Sequence, residues 1–143
     1  MVCCDCLNTT NDVHNAYFDV TQYACDAKSI YPQKCVLRLS DIAFAKICTK
    51  GAECREAQIR YLKIIEDIEK TPELLATLTA YLLDYESNVS NTAKALCCHL
   101  NTVKYRLNAI RDRTGYSPSK PTDAYPLLIA VAINRMKNSE DGV

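Results

Sequence analysis

The side chains best suited to chemistry in this sequence are amides and cations spaced along one stretch near residue 100. Asn101, Tyr105 and Asn108 follow one another at spacings of four and three, so on an α-helix of about 3.6 residues per turn they share one face. Basic and polar residues flank this face on both sides: Lys104, Arg111, Thr102, Arg106 and Arg113. Amides can read base edges, an asparagine pairing with adenine through two hydrogen bonds, and cations can contact phosphates. The pattern predicts a helix that reads the major groove of DNA.

The opposite face of this helix is apolar and predicts burial. It carries a stripe at helical spacing, formed by Val103, Leu107 and Ile110. Upstream, Ser90 is predicted to cap a shorter helix whose Ala93 and Leu96 face the longer one. We expect a tight turn at Cys97 and Cys98. Two helices joined in this way form a helix-turn-helix.

The predicted DNA contacts lie on the helix from about Leu100 to Thr114 and at its start. They are His99, Leu100, Asn101, Thr102, Lys104, Tyr105, Arg106, Asn108 and Arg111. Three of them have an ordinary structural explanation as well. Tyr105 could pack its ring on a neighbouring helix, and Arg106 could pair with an acidic side chain. His99 could simply cap its helix, which is the interpretation we prefer for it.

Three segments together resemble a known family. They are ELLATLTAYL, TAKALCCHLNTVKYRLNAI with its H-x-N-T-V-x-Y-R-L run, and TG followed by PLLIAVAI. From about Pro72 to Met136 the sequence resembles the C-terminal DNA-binding module of the PucR and sugar-diacid-regulator (CdaR-like) family of bacterial transcription factors. The sequence departs from the family pattern at Leu100, where an Arg is usual, and at Cys97, where many such turns have Gly. A left-handed backbone at Cys97 would cost roughly 1 to 2 kcal/mol.

The resemblance implies sequence-specific binding to double-stranded operator DNA by a bacterial transcription regulator. Members of the family usually have regulatory domains upstream of this module. We therefore expect the chain to be the C-terminal part of a longer regulator, and any small-molecule inducer to be bound by a region absent from it. A homodimer is also expected, because two reading helices can then meet successive major grooves of a palindrome, about 34 to 36 Å apart.

Composition predicts an all-α protein, a multi-helix domain with a C-terminal helix-turn-helix. The chain has 143 residues, 48% of them hydrophobic, with only three Gly and no Trp. The expected organisation is a flexible leader at 1–11, a helical upstream region at 12–70, the DNA-binding domain at 71–137 and a tail at 138–143. No apolar run is long enough to cross a membrane, and no targeting segment is evident, so we expect a soluble cytoplasmic protein without membrane association.

Apolar periodicity and capping residues predict the helix bounds. The expected spans are 12–28, a short helix from a cap at Ser40 to a turn at Gly51, and then 52–70, 72–85 and 123–136. Val13 and Tyr17 are assigned to the buried face of the first helix, and Ile47 to that of the second. The last helix is apolar nearly all round, which predicts that it is central to the core or buried against a second subunit.

Charge is balanced overall but concentrated near the motif. The formal net charge is zero, with 17 basic and 17 acidic side chains. Residues 87–115 nevertheless hold five Lys or Arg and a single Asp. This asymmetry supports an electrostatic footprint for nucleic acid.

The nine cysteines predict neither a disulfide framework nor a metal site. Their number is odd and no C-x-x-C pair occurs, although Cys3, Cys4 and Cys6 lie close together and His14 follows. No cofactor is expected. For Cys97 and Cys98 we prefer small reduced packing residues over a redox switch in the turn.

An enzyme is the class that the sequence favours least. The chain has two His, and no nucleophile stands beside a base. The serious alternative to DNA binding is a helical dimerisation or protein-interaction module without DNA-binding activity, which the zero net charge and Leu100 favour.

Overall fold

Seven α-helices make up most of the part of the chain that the structure describes. The computed structural model describes residues 1–3 and 7–140. Its helices are α1 Thr10–Ile30, α2 Leu39–Glu53, α3 Arg55–Glu69, α4 Pro72–Thr79, α5 Val89–Ala95, α6 Leu100–Thr114 and α7 Pro121–Glu140. The all-α prediction is confirmed. Two short strands, β1 Val2–Cys3 and β2 Leu37–Arg38, pair in parallel. Thus Val2 and Cys3, in the segment expected to be a flexible leader, are held against the chain that follows α1.

Helix α1 begins at a capping box rather than at the predicted Asp12. The Thr9 hydroxyl accepts from the Asp12 amide (3.1 Å), and the Asp12 carboxylate accepts from the Thr9 amide (2.9 Å). These hydrogen bonds from the Thr9 side chain and backbone lower the pKa of Asp12 below its ordinary value. Val13 and Tyr17, assigned to the buried face, are exposed; the most deeply buried side chains of α1, Ala27 and Ile30, lie at its other end.

Helix α2 also differs from its prediction at both ends. Its start is organised by Asp41, whose carboxylate accepts from the Arg38 amide (2.8 Å), so Ser40 is not the cap. The helix continues through Gly51, where we expected a turn, and ends at Glu53. A Cβ on Gly51 would lie 3.6 Å from the Ile133 side chain of α7, so α2 passes close to that helix here. Ile47 is exposed, contrary to its assignment.

Helix α4 does not run regularly to residue 85 as predicted. It gives way to a π-helical segment, Ala80–Asp84, in which the Tyr85 amide donates to the Ala80 carbonyl five residues back (3.0 Å). Glu86 and Ser87 then take positive φ angles of 48° and 61°. The chain thereby turns sharply into α5.

Helix α7 lies at the centre of the molecule. It contacts α1, α2, α3 and α4, and its buried side chains are Leu127, Ile129, Ala130, Val131, Ala132, Ile133 and Met136. This packing accounts for its apolar surface without a second subunit. The helix begins at Pro121, two residues earlier than predicted, because proline fits the first helical position.

One guanidinium joins three parts of the chain. Arg135 of α7 donates two hydrogen bonds to the Asp84 carboxylate, each 2.8 Å long. It donates a third to the carbonyl oxygen of Ile30 at the end of α1 (2.8 Å). The side chains of Arg135 and Asp84 are 22% and 11% exposed. Nothing in the sequence pattern indicated this connection.

The described residues contain neither a membrane-spanning helix nor a cluster of potential metal ligands. No helix in the described part of the chain combines the length and apolarity that crossing a bilayer requires. Of the clustered cysteines considered for a metal site, Cys4 and Cys6 lie outside the described residues. Within 1–3 and 7–140, no group of three or more potential ligands is placed to hold a metal ion. Cys48 is a buried packing residue, and burial raises the pKa of its thiol to about 12.

Candidate nucleic-acid interface

The first helix of the motif, α5, starts from Asn88. The Asn88 side chain accepts from the Asn91 amide (3.0 Å), which satisfies one of the unpaired donors of the first turn. The prediction that Ser90 is the cap is therefore wrong; Ser90 is exposed in the first turn. Thr92 is fully buried, and its hydroxyl donates to the Asn88 carbonyl (2.8 Å). Ala93 is also buried, and α5 packs against α6.

The turn between α5 and α6 is a Schellman motif. The Cys98 amide donates to the Ala93 carbonyl (3.0 Å), and the Cys97 amide donates to the Lys94 carbonyl (3.2 Å). Cys97 takes a left-handed φ of 49°, the conformation for which glycine is favoured. Cys97 is exposed, so it does not serve as the packing residue we expected, whereas Cys98 is half-buried against the core.

Helix α6 is capped at both ends by the residues that the sequence indicated. The His99 ring nitrogen Nδ1 accepts from the Asn101 amide (3.2 Å), which matches the preferred interpretation of His99. Gly115 takes a φ of 78°, and its amide donates to the Arg111 carbonyl (2.8 Å). The helix therefore presents fifteen residues, Leu100–Thr114, with defined ends.

The two faces of α6 differ as the periodicity predicted. Val103, Leu107 and Ile110 are buried. Among the predicted contact residues, those on the opposite side or at the helix start are exposed: His99, Asn101, Lys104, Tyr105, Asn108 and Arg111. Tyr105 is 73% exposed, so its ring does not pack on a neighbouring helix. An uncovered ridge of amide, phenol and cationic groups thus runs along the outside of the motif.

The other predicted contact residues lie at the margin of this ridge. Leu100 and Thr102 are half-buried. Arg106 points toward α4, where its Nη2 lies 2.8 Å from Oε2 of Glu73 and its Nη1 donates to the buried Thr77 hydroxyl (3.3 Å). The pairing of Arg106 with an acidic residue, weighed as an alternative from the sequence, is therefore present.

The cations of α6 have different surroundings. Arg111 is paired with the adjacent Asp112 (2.9 Å), and Arg113 donates to the Thr71 hydroxyl (2.8 Å). For Lys104, no carboxylate of the described residues lies within 4.0 Å of its ammonium group. The positive surface that is open to a ligand is consequently narrower than the charge count of residues 87–115 suggested.

The partners on α4 were the part of the site that sequence analysis missed. Thr71 and Glu73 were interpreted only as part of a helix start, and Thr77 was given no role. Their hydroxyl and carboxylate groups nevertheless bind the arginines of α6. The spacing of Arg106 and Arg113, seven residues apart on one face, was the available signal.

Comparison with known proteins agrees with this geometry. The family model of the PucR C-terminal helix-turn-helix domain matches residues 74–133. An uncharacterized protein of Mycobacterium bovis and uncharacterized proteins of two Mycobacterium tuberculosis strains are each 43% identical to this chain over 65 residues. The matched stretch is 46% of this chain and 16% of each relative. No solved structure matches the chain.

The matched residues begin within α4 and end within α7, and so include the whole of α5, the turn and α6. The resemblance noted from the H-x-N-T-V-x-Y-R-L run is thereby confirmed for this part of the chain. Residues 74–133 are thus similar in sequence to the PucR C-terminal helix-turn-helix domain, and they include both helices and the turn of the motif.

Proposed function

We propose that this chain binds double-stranded DNA with sequence preference and acts in transcriptional regulation. The observation that carries the proposal is the exposed ridge on α6, set on a helix-turn-helix domain whose family is one of DNA-binding regulators. An α-helix with its side chains is about 10 to 12 Å across, which fits a major groove about 12 Å wide. The outer face of α6 is free of other elements of the described chain at Tyr105 and Asn101.

Each exposed side chain has a role that its chemistry suits. Asn101 is the proposed base reader, because its amide can donate and accept along one adenine edge. Lys104, which has no carboxylate neighbour in the described chain, contacts a phosphate. Tyr105 and Asn108 extend the reading face toward the middle of the helix. His99, Leu100, Thr102 and Arg111 belong to the edge of the interface.

The proposed function includes a dimeric assembly and a longer regulator of which this chain is a part. Two copies of the chain would place their α6 helices in successive major grooves of a palindromic operator. The matched stretch covers 16% of the length of each mycobacterial relative. Ligand sensing would therefore belong to another part of a longer bacterial, cytoplasmic protein. Light scattering at micromolar concentration tests the dimer, and a strictly monomeric mass would count against it.

Selection of duplexes from a random pool, followed by fluorescence anisotropy over a salt series, tests DNA binding. We expect a preferred duplex whose affinity falls as salt rises, since counterions are released from neutralised phosphates. Asn101→Ala should chiefly reduce preference at one base pair, by about 1 to 3 kcal/mol. Lys104→Ala should weaken binding to all duplexes and reduce the salt slope by about 1.

Lys50→Ala is the matched control, because Lys50 is an exposed cation on α2, away from α6. It should leave both affinity and preference unchanged. A wild-type chain that binds no selected duplex would contradict the proposal and favour a helical protein-interaction module instead.

A further inference from the structure

We propose that Arg106 and Arg113 are positioning residues that hold α6 on α4 at one rotation and one axial position. The inference rests on the proposed DNA-binding function for its consequence, which is that these two arginines determine base preference without contacting DNA. Arg106 is half-buried and Arg113 is exposed, and at helical spacing both lie on the side of α6 between the buried stripe and the exposed ridge.

The first anchor is a half-buried hydrogen-bonded cluster around Arg106. Its side chain is 20% exposed, and it reaches both Glu73 (2.8 Å) and Thr77 (3.3 Å). The hydroxyl of Thr77 donates to the carbonyl oxygen of Glu73 (2.7 Å), so its lone pairs remain available to accept from the guanidinium. To contact a phosphate, the guanidinium of Arg106 would have to break its hydrogen bonds to both Glu73 and Thr77.

The second anchor lies about two turns further along α6. Arg113 donates to the hydroxyl of Thr71, the residue that precedes α4 (2.8 Å). At 1.5 Å per residue, Arg106 and Arg113 are separated by roughly 10 Å along α6, and Thr71 and Thr77 by roughly 9 Å along α4. The two spacings are similar, and the order is reversed, because the earlier arginine, Arg106, contacts the later threonine, Thr77. The helices therefore run side by side in opposite directions, joined at both levels.

Contacts at two levels restrict both rotation and sliding of α6. At about 100° per residue, Arg106 and Arg113 lie within roughly 20° of each other around the helix, and each is roughly 80 to 100° from Tyr105. Fixing this side of the helix on α4 fixes the direction in which Asn101 and Tyr105 point. A rotated helix would keep its buried stripe partly covered but would present its amides to the wrong base edges.

Glu73 provides the sharpest test, because simple electrostatics and positioning predict opposite results. If this exposed carboxylate merely repels phosphate, Glu73→Ala and Glu73→Gln both strengthen DNA binding. If it holds Arg106, Glu73→Ala weakens binding to the preferred duplex roughly threefold to thirtyfold, which lies within the range of coupling between contacting residues. Glu73→Gln retains an acceptor and should restore most of the affinity. Stronger binding by both variants would overturn the proposal.

Arg106 is tested by its salt dependence and by a double-mutant cycle. Arg106→Gln should lose base preference with an unchanged salt slope, and Arg106→Gln with Glu73→Ala should be no worse than either single change. Arg106→Lys, which keeps the charge but lacks the fork, should behave like Arg106→Gln. A salt slope reduced by about 1 in Arg106→Gln, as expected for Lys104→Ala, would identify a phosphate contact and overturn the proposal.

The outcome can be separated from failure of the proposed function. Each variant is first melted by circular dichroism, and binding is measured well below the lowest melting temperature. If Arg106→Gln does not fold, Arg106→Lys takes its place in the measurement of base preference. If the wild-type chain binds no DNA, the proposed function fails, but non-additive melting shifts of Arg106→Lys and Glu73→Ala still report the anchor. Additive shifts would show that the two helices are not coupled there.

Discussion

The backbone of one residue, Cys97, shows how the turn of the motif is constrained. A Schellman ending requires a left-handed residue after α5, and Cys97 fills this position with a φ of 49°. Because a side chain with a Cβ is disfavoured there, the local geometry would be easier for glycine. The turn therefore forms in spite of the residue at its centre, held by the packing of α5 against α6.

Cys97→Gly should leave the free energy of unfolding equal or raise it by up to about 1 kcal/mol. Relief of the left-handed strain, roughly 1 to 2 kcal/mol, exceeds the extra chain entropy that glycine gives the unfolded state, about 0.5 to 1 kcal/mol. Urea denaturation measures the difference. Cys97→Ala is the control, since it removes the thiol but keeps the Cβ and should bring no gain. A clear loss of stability in Cys97→Gly would contradict the strain.

Helix ends and helix faces were predictable from the sequence where one strong local signal had no competing interpretation. Pro72 and Gly115 fixed a helix start and a helix end, and the 3.6-residue repeat of α6 gave its buried and exposed faces correctly. Gly51 misled, because a single glycine is also tolerated inside a helix that packs closely on another. The π-helical segment has no periodic signature, since five residues are too few to shift the apolar repeat.

The N-terminal cap of α5 is Asn88, whereas the sequence analysis predicted Ser90. Both residue types cap helices well, and they are two positions apart. What decides between them is the sharp turn at Glu86 and Ser87, whose positive φ angles bring the chain into position for Asn88. Such angles at non-glycine residues depend on the surrounding packing and not on local preference.

Asn88→Ala should lower the free energy of unfolding by about 1 kcal/mol, because it removes the side-chain acceptor of the α5 N-terminus. The matched variant Ser90→Ala, which changes an exposed residue of the same turn, should have little effect. Thermal and urea denaturation of both proteins measure this contrast. If Ser90→Ala costs more than Asn88→Ala, the cap of α5 is misassigned.

At the scale of the whole molecule, Arg135 joins parts of the chain that are far apart in sequence. Its guanidinium satisfies a carbonyl at the end of α1 and the carboxylate of Asp84, which follows α4. In the sequence, Ile30 is 105 residues from Arg135, and Asp84 is 51 residues from it. Periodicity reports which face of a helix is buried, but it carries no information about which polar residues meet across such distances.

Asp84→Asn should lower the free energy of unfolding by about 2 to 3 kcal/mol, somewhat less than for a fully buried pair, since Arg135 and Asp84 keep some exposure. The cause is a cation left half-buried without its charge partner. Urea denaturation provides the measurement. Asp67→Asn, which removes the carboxylate of the exposed pair with Lys70, should change stability by less than about 0.5 kcal/mol. Equal effects of the two changes would contradict the assigned importance of Arg135.

The central place of α7 bears on how the chain can be divided. Its apolar surface is shared among α1, α2, α3 and α4. A fragment cut at residue 71, where the DNA-binding module was expected to begin, would retain α7 but uncover the side that the first three helices shield. Such an excised piece would expose an apolar surface prone to self-association, so the helix-turn-helix motif is smaller than the unit that folds.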